Sequence, residues 1–315
     1  MDGHAGGPVM TGTSSLAAPR SVAELADIVR DARAAVQRLR VVAGGTWSDA
    51  GTPASRIRAD ATPVSLRELR GVVAYVPGDL TLTVRAGTTL AELDAICAEH
   101  NQWCTLTPWG GNHGTVGATF ATATNGPLAR ALGRPRDIAL GLEFVDGLAT
   151  TVRGGGRVVK NVAGFDLTRL LVGSFGALGV ITEVTVRLRA RPAVDRTWIV
   201  ACEPGAAADI RRGAITPLAV EPLSAASAAA LNAEVGALLV RFAGNAALVS
   251  AAERMLRALG SLTECEASAW SLVRETNAPV RSIEQDALAL PLARRIKERF
   301  DPAAILNPGV LGESA

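Results

Sequence analysis

The sequence predicts an α+β fold. Three observations carry that prediction. Helix signals and hairpin signals alternate along the 315 residues without a βαβ series. Capping boxes open helices at Ser21-Val-Ala-Glu24 and Thr89-Leu-Ala-Glu92. β-branched runs bounded by turn residues read as antiparallel pairs.

Residues 1–18 are small and polar and read as a frayed tail. Val22, Leu25, Ile28 and Val29 keep helical spacing, so a helix is expected over 21–38. LRVVA at 39–43 is a short apolar strand, ended by Gly44-Gly45-Thr46-Trp47-Ser48. VVAYV at 72–76 and LTLTVRA at 80–86 flank Pro77-Gly78-Asp79 as a hairpin. The second capping box opens a helix to about His100. DIALGLEFV and LATTVR flank Asp146-Gly147, a strong signal for a tight hairpin turn. Asp166 can cap a helix through Leu171. VITEVTVRLRA at 180–190 alternates as a strand, and Arg191-Pro192 stops it.

From residue 197 the pattern becomes strand (TWIVAC), helix (205–213), strand (ALLVRFAG) and helix (245–259), a small two-layer α+β unit. The last segment carries a helix over 286–299. The expected organisation is a tail to 18, a first domain over 19–196, a smaller domain over 197–285, and a segment, 286–315, that returns to the first domain.

Composition excludes several classes. Lys+Arg of 32 against Asp+Glu of 30 leaves a net charge of +2, with no block of like charge to mark a nucleic-acid or membrane surface. No basic and then apolar leader opens the chain, and no apolar run is long enough for a membrane span. A cytoplasmic location is the expectation. Cys97, Cys104, Cys202 and Cys265 show no CxxC or finger spacing and read as plain thiols, not metal ligands.

Glycine concentrates in three places: Gly44-Gly45 with Thr46 and Ser48; Gly110-Gly111 with Gly114 and Gly117; and Gly173, Gly176 and Gly179. Glycines beside hydroxyls present backbone N–H and Oγ donors, which suits a pyrophosphate. Turning the chain is the other use for each cluster. Three clusters in one domain point to a large phosphate-bearing ligand wrapped by several loops. Neither G-x-G-x-x-G between a strand and a helix nor G-x-x-x-x-G-K-[ST] is present, so nicotinamide and nucleoside-triphosphate readings are weak.

KNVAGFDLTRLLVGSFGALGVITEV, Lys160 to Val184, resembles the second half of the FAD-binding domain of vanillyl-alcohol-oxidase-type flavoproteins, the PCMH-type FAD-binding domain. Its variant is most similar to the E-type, FAD-binding subunits of bacterial glycolate oxidases. AGGTWS and RIKERFDPAAILNPG (295–309) add to the resemblance, which covers about 20–190 and the tail. It implies two α+β subdomains that hold FAD noncovalently, with a smaller α+β cap-like domain. It implies that Gly44, Gly45, Thr46, Trp47 and Ser48 form the pyrophosphate loop. It implies that Pro108, Gly110, Thr115, Val116, Gly117 and Thr119 hold the ribityl chain and diphosphate. It implies that Gly176, Gly179, Val180 and Ile181 meet the adenine and flavin ring. Gly179 would let backbone approach a ligand closely.

Members that oxidise 2-hydroxy acids use a histidine late in the chain as base. Here the histidines are His4, His100 and His113, and none follows residue 113. His100 ends a helix, where a cation suits the dipole, and His113 sits in the second glycine loop. Asp286, Glu284 and Tyr75 could substitute, but nothing marks them. The pyrophosphate loop carries Trp47 where covalent members carry a linking residue. Cys104 is the other conceivable attachment point. Lys160 is one of two lysines, so an ammonium beside the flavin is a weak catalytic candidate; a solvated lysine is the alternative.

By resemblance the chain is a FAD-binding subunit. It would act with a catalytic FAD subunit and an iron–sulfur subunit in a glycolate oxidase-like complex, oxidising a small 2-hydroxy acid to a 2-oxo acid. It would meet the inner face of the membrane only through partners. A self-sufficient FAD-linked oxidase or dehydrogenase, and a non-catalytic FAD-binding structural subunit, are the alternatives.

Overall fold

The computed structural model describes residues 16–45, 53–156, 166–203, 205–277 and 291–312. The chain begins with α1 (Val22–Ala34), then β1 (Leu39–Val42), β2 (Thr62–Ser65), β3 (Val72–Val76) and β4 (Thr81–Arg85). Next come α2 (Leu90–Ala98), β5 (Gln102–Trp103), α3 (Val116–Thr122), α4 (Ala129–Leu132) and α5 (Pro135–Ile138). β6 (Ala139–Val145), β7 (Thr151–Gly155), α6 (Leu167–Leu171), β8 (Val180–Arg187) and β9 (Arg189–Ala190) complete the main body.

The central sheet has five strands in the order β3-β4-β8-β6-β7, every neighbour antiparallel. β1 and β2 form a separate parallel pair, and β5 pairs with β9. This mixture of antiparallel sheet and packed helices is the expected α+β class. The main core joins Leu25 and Val29 of α1, Phe120 of α3, and Leu82, Phe144 and Val184 of the sheet. Ile305 and Leu306 enter the same core, so the tail is part of it.

Local signals act as the sequence expects at several points. Thr89 Oγ1 accepts from Glu92 N at 3.1 Å while Glu92 Oε2 accepts from Thr89 N at 2.8 Å, a full capping box. Asp166 Oδ1 caps α6 by accepting from Arg169 N at 2.9 Å. Ser21 Oγ accepts from Glu24 N, but the Glu24 carboxylate reaches one residue further back, to Arg20 N at 2.8 Å.

Other expectations are corrected. α1 stops at Ala34 and does not run to 38. Val36 adopts φ +52°, and its N–H and that of Gln37 bond back to Arg33 O and Ala32 O, a Schellman ending with valine where glycine is usual. The 146–150 connection is a five-residue loop, not a tight Asp-Gly turn. Asp146 Oδ1 accepts from Leu148 N at 2.9 Å and Thr150 N at 2.8 Å, and Ala149 takes the positive φ. Gly147 serves close packing instead: its N–H donates to Phe300 O at 2.8 Å, and a Cβ there would lie 2.4 Å from Asp301 Oδ1. The strand expected over 180–190 breaks at Leu188, whose N–H turns to Leu80 O at 2.7 Å.

The second sheet follows with β10 (Val194–Cys202), α7 (Ala206–Arg212), β11 (Ala219–Pro222), α8 (Ala225–Ala230), β12 (Leu238–Gly244), α9 (Ala246–Arg257), β13 (Gly260–Cys265) and α10 (Ala269–Thr276). Its order is β11-β12-β10-β13, all antiparallel. The unit has helices on both faces, not the two layers expected. Strand alternation sends Trp198, Val200 and Val240 toward Ile210 of α7 and Val249 and Leu256 of α9. It sends Ile199 and Leu239 toward Ala228 of α8 and Trp270 and Val273 of α10. That second face also gathers Trp103 and Leu128 of the main body. The described chain ends with α11 (Pro291–Phe300) and an irregular tail.

Candidate FAD-binding site

A cavity of about 410 Å³ opens where the C-terminal end of β1, the outer face of α3 and the start of β8 converge. That volume falls within the roughly 300–1,000 Å³ typical of ligand pockets. Its apolar wall includes Val41, Val42, Leu66, Ala121, Val180 and Ile181. Its glycines are Gly44, Gly45, Gly117 and Gly176, and Arg40 supplies a cation.

Each wall is fixed by a local device. Arg67 Nε donates to Ala43 O at 3.1 Å and its Nη2 to Gly44 O at 3.2 Å, which holds the loop after β1. Gly45 has φ +73°, with nothing within 4 Å of an added Cβ. Gly176 has φ +75°, and a Cβ there would come within 2.7 Å of Asn307 Nδ2. Asn307, buried at 4% exposure, joins two of the walls. Its Oδ1 accepts from Val41 N at 2.7 Å and its Nδ2 donates to Phe175 O at 2.6 Å.

A buried ion pair supports the same corner. Lys297 Nζ lies 2.6 Å from Asp301 Oδ2 and also donates to Ala177 O at 2.8 Å and Leu306 O at 3.2 Å. Asp301 accepts from Ile305 N and Leu306 N. The ammonium and carboxylate are thereby both satisfied inside the core.

The residues singled out from the sequence separate into groups. Gly44, Gly45, Gly117, Gly176, Val180 and Ile181 come together around the cavity. Val116 is core, and its N–H and that of Gly117 donate to Thr88 O and Ala86 O, both at 2.8 Å. Thr115 Oγ1 accepts from Ala118 N, and Thr119 Oγ1 donates to Thr115 O at 2.9 Å, so both hydroxyls serve α3 itself. Gly179 packs on Phe144: an added Cβ would lie 2.5 Å from its ring. Gly110 N–H donates to Arg274 O at 2.9 Å, which seats the second glycine loop on α10. Pro108 does not line the cavity. Thr46, Trp47, Ser48, Lys160, Glu284 and Asp286 lie outside the described residues.

The candidate bases among the described residues stand apart. His113 is exposed and lines neither this cavity nor the second one between the two cores. His100 packs edge-on against Tyr75, ring centroids 5.0 Å apart. Tyr75 donates its hydroxyl to Gln102 Oε1 at 3.1 Å. Cys104 is buried away from the cavity, and burial pushes its thiol up to about 12. No cluster of metal-ligating side chains exists among the described residues.

Sequence reasoning missed Asn307, Phe175, Ala118 and Arg40. Asn307 was inside a motif quoted for the tail, but its contact with Val41 spans 266 positions and leaves no local trace.

Residues 13–155 match the family described as FAD binding domain. The chain is 33% identical over 218 residues to glycolate oxidase subunit GlcE of Escherichia coli, covering 68% of this chain and 58% of that protein. It is 35% identical over 129 residues to the mitochondrial D-lactate dehydrogenase [cytochrome] of Arabidopsis thaliana, covering 41% of this chain and 22% of that protein. The matches thus span little more than half of the first relative and about a fifth of the second. Among solved structures, alkyldihydroxyacetonephosphate synthase superposes with a TM-score of 0.70 at 15% identity, covering 92% of this chain and 76% of that one; this is a likeness of fold.

Proposed function

We propose that this chain, whose residues 13–155 match the FAD binding domain family, is the flavin-holding subunit of a glycolate oxidase-like complex. The complex would oxidise a small 2-hydroxy acid to its 2-oxo acid. The observation that carries the reading is the cavity, whose lining combines glycine backbone from three segments, Arg40, the polar Ser55, Thr122 and Asn307, and an apolar wall. Glycine loops suit the diphosphate, and Val180 and Ile181 suit an aromatic ring. Bound there, FAD would supply two-electron redox chemistry to the complex.

The chain's own residues bind and orient. Arg67 and Asn307 hold the two glycine segments in place before any ligand arrives. Preorganisation of this kind lowers the ordering cost of binding. Arg40 offsets phosphate charge. The apolar wall excludes water. Cofactor attachment is noncovalent in this reading, supported by the inert thiol of Cys104.

The subunit role is supported by the GlcE name of the first relative and by the positions of the histidines. His100 and His113 stand away from the cavity, and in this reading the proton-abstracting base belongs to a partner. In the same reading the partners are a catalytic FAD subunit and an iron–sulfur subunit that receives the electrons, on the cytoplasmic side. No described helix is long and apolar enough to cross a membrane.

The test is to purify the chain, record its visible spectrum, and add glycolate or D-lactate without oxygen. The proposal expects a yellow protein that releases free FAD on denaturation and bleaches only when its partner subunits are added. Bleaching of the chain alone would assign the oxidation to this chain and overturn the subunit reading.

A further inference from the structure

A second cavity, of about 210 Å³, lies between the two cores. Leu90, Leu93 and Leu106 of the main core form one wall, and Trp103, Leu128 and Trp270 of the second core form the other. It shares no lining residue with the cavity assigned to FAD.

Its charged lining is Arg191, Arg241 and Arg274, with Asp94. Two of the three cations are already matched. Arg191 Nη2 donates to Asp94 Oδ1 at 3.0 Å. Arg241 grips Asp195 with both arms of its fork, at 2.9 and 2.6 Å, and lies 5.3 Å over the Trp103 ring.

Arg274 is different. It is 4% exposed, and among the described residues no carboxylate stands within ion-pair distance of it. Its Nη2 donates to Asn112 Oδ1, and its Nε has no partner among the described residues. Two more buried donors of the same lining, Trp103 Nε1 and Thr107 Oγ1, also lack partners there. The Glu275 and Asp94 carboxylates act on Arg274 only from beyond ion-pair distance; a buried guanidinium without a direct ion pair is unfavourable, as are buried donors without acceptors. Burial also pulls the Arg274 pKa down. An acceptor-only anion would relieve all three groups at once.

We propose that this cavity binds a small organic carboxylate, held by Arg274 with Trp103 Nε1 and Thr107 Oγ1 as further donors. A guanidinium fork matches the two oxygens of a carboxylate. The leucine wall then takes a short carbon chain. Inorganic phosphate fits less well, because its outward oxygens would face Leu90, Leu93 and Leu106 without donors. The site stands independently of the flavin assignment, since it uses other residues.

Calorimetric titration of the full chain tests it, with glycolate, glyoxylate, acetate and inorganic phosphate as probes at constant ionic strength. FAD affinity and thermal midpoint are measured on the same samples. The expected result is saturable binding of the carboxylates, with phosphate at least tenfold weaker. Arg274→Gln should weaken carboxylate binding at least tenfold and leave FAD affinity unchanged. Arg274→Lys and Thr107→Val should weaken it less, and they carry the test if Arg274→Gln does not fold. Absence of saturable binding in the unaltered chain would overturn the proposal, and so would undiminished binding in the folded Arg274 and Thr107 variants. Phosphate binding as tightly as the carboxylates would overturn the carboxylate assignment.

Discussion

The carboxamide of Asn307 donates to the carbonyl of Phe175 at 2.6 Å, while its oxygen accepts from Val41 at 2.7 Å. One side chain from the tail thus sets the spacing between the first and third glycine segments. Asn307→Ala removes both bonds and leaves buried groups unpaired, a loss of about 2–3 kcal/mol. Denaturant unfolding should show that loss, and an FAD titration should show affinity at least tenfold weaker. Asn307→Asp keeps the acceptor but sets a buried carboxylate oxygen against the Phe175 carbonyl, and should cost at least as much as Asn307→Ala.

Lys297 and Asp301 form a buried pair with side chains 6% and 0% exposed. Lys297→Met strands the carboxylate and should cost on the order of 3–5 kcal/mol. Adding Asp301→Leu should recover part of the loss, although Ile305 and Leu306 then lose their acceptor. Urea midpoints of the single and double variants decide this.

The glycines divide by role. Gly176→Ala pushes a Cβ toward Asn307 Nδ2 and should weaken FAD binding more than it weakens the fold. Gly179→Ala drives a Cβ into the Phe144 ring and should lower the thermal midpoint more than it affects FAD. Equal effects of the two on FAD affinity would contradict the division.

Val36 sits at φ +52° and is 73% exposed. Val36→Gly relieves a left-handed β-branched residue and should stabilise the chain by about 1 kcal/mol. Thermal unfolding reads the gain directly.

Burial raises the thiols of Cys97 and Cys265 to about 11 and that of Cys104 to about 12, from 9.0. Their folded pKa values lie above the unfolded ones. The neutral thiols therefore stabilise fully below pH 9.0, and that contribution is lost as pH rises toward 11–12. At pH 8 Cys104 is therefore held as the neutral thiol. Alkylation of Cys104 should be negligible in the folded chain at that pH and rapid after unfolding.

The sequence shows its local devices clearly and its long-range ones poorly. The Thr89 box and the Asp166 cap are legible because donor and acceptor lie three residues apart. The 146–150 loop was misread because Gly147 answers to Asp301, far along the chain, and not to the turn. β11, α8, β13 and α10 went unseen. α8 is almost all alanine, so it shows no apolar stripe, and β13 is a half-exposed edge strand with a polar sequence. Within the candidate site, the glycine segments were visible from composition alone. The groups that join them, Asn307, Arg67 and Lys297, carry no signal until the tail is folded against the main sheet.

The most direct measurement is an equilibrium titration of the flavin-free chain with FAD, set beside Ala118→Trp, whose bulk fills the cavity from α3. The account predicts stoichiometric binding by the unaltered chain. It predicts a loss of at least a hundredfold in the variant, with an unchanged circular dichroism spectrum. No binding by the unaltered chain, or equal binding by a folded Ala118→Trp variant, would contradict it.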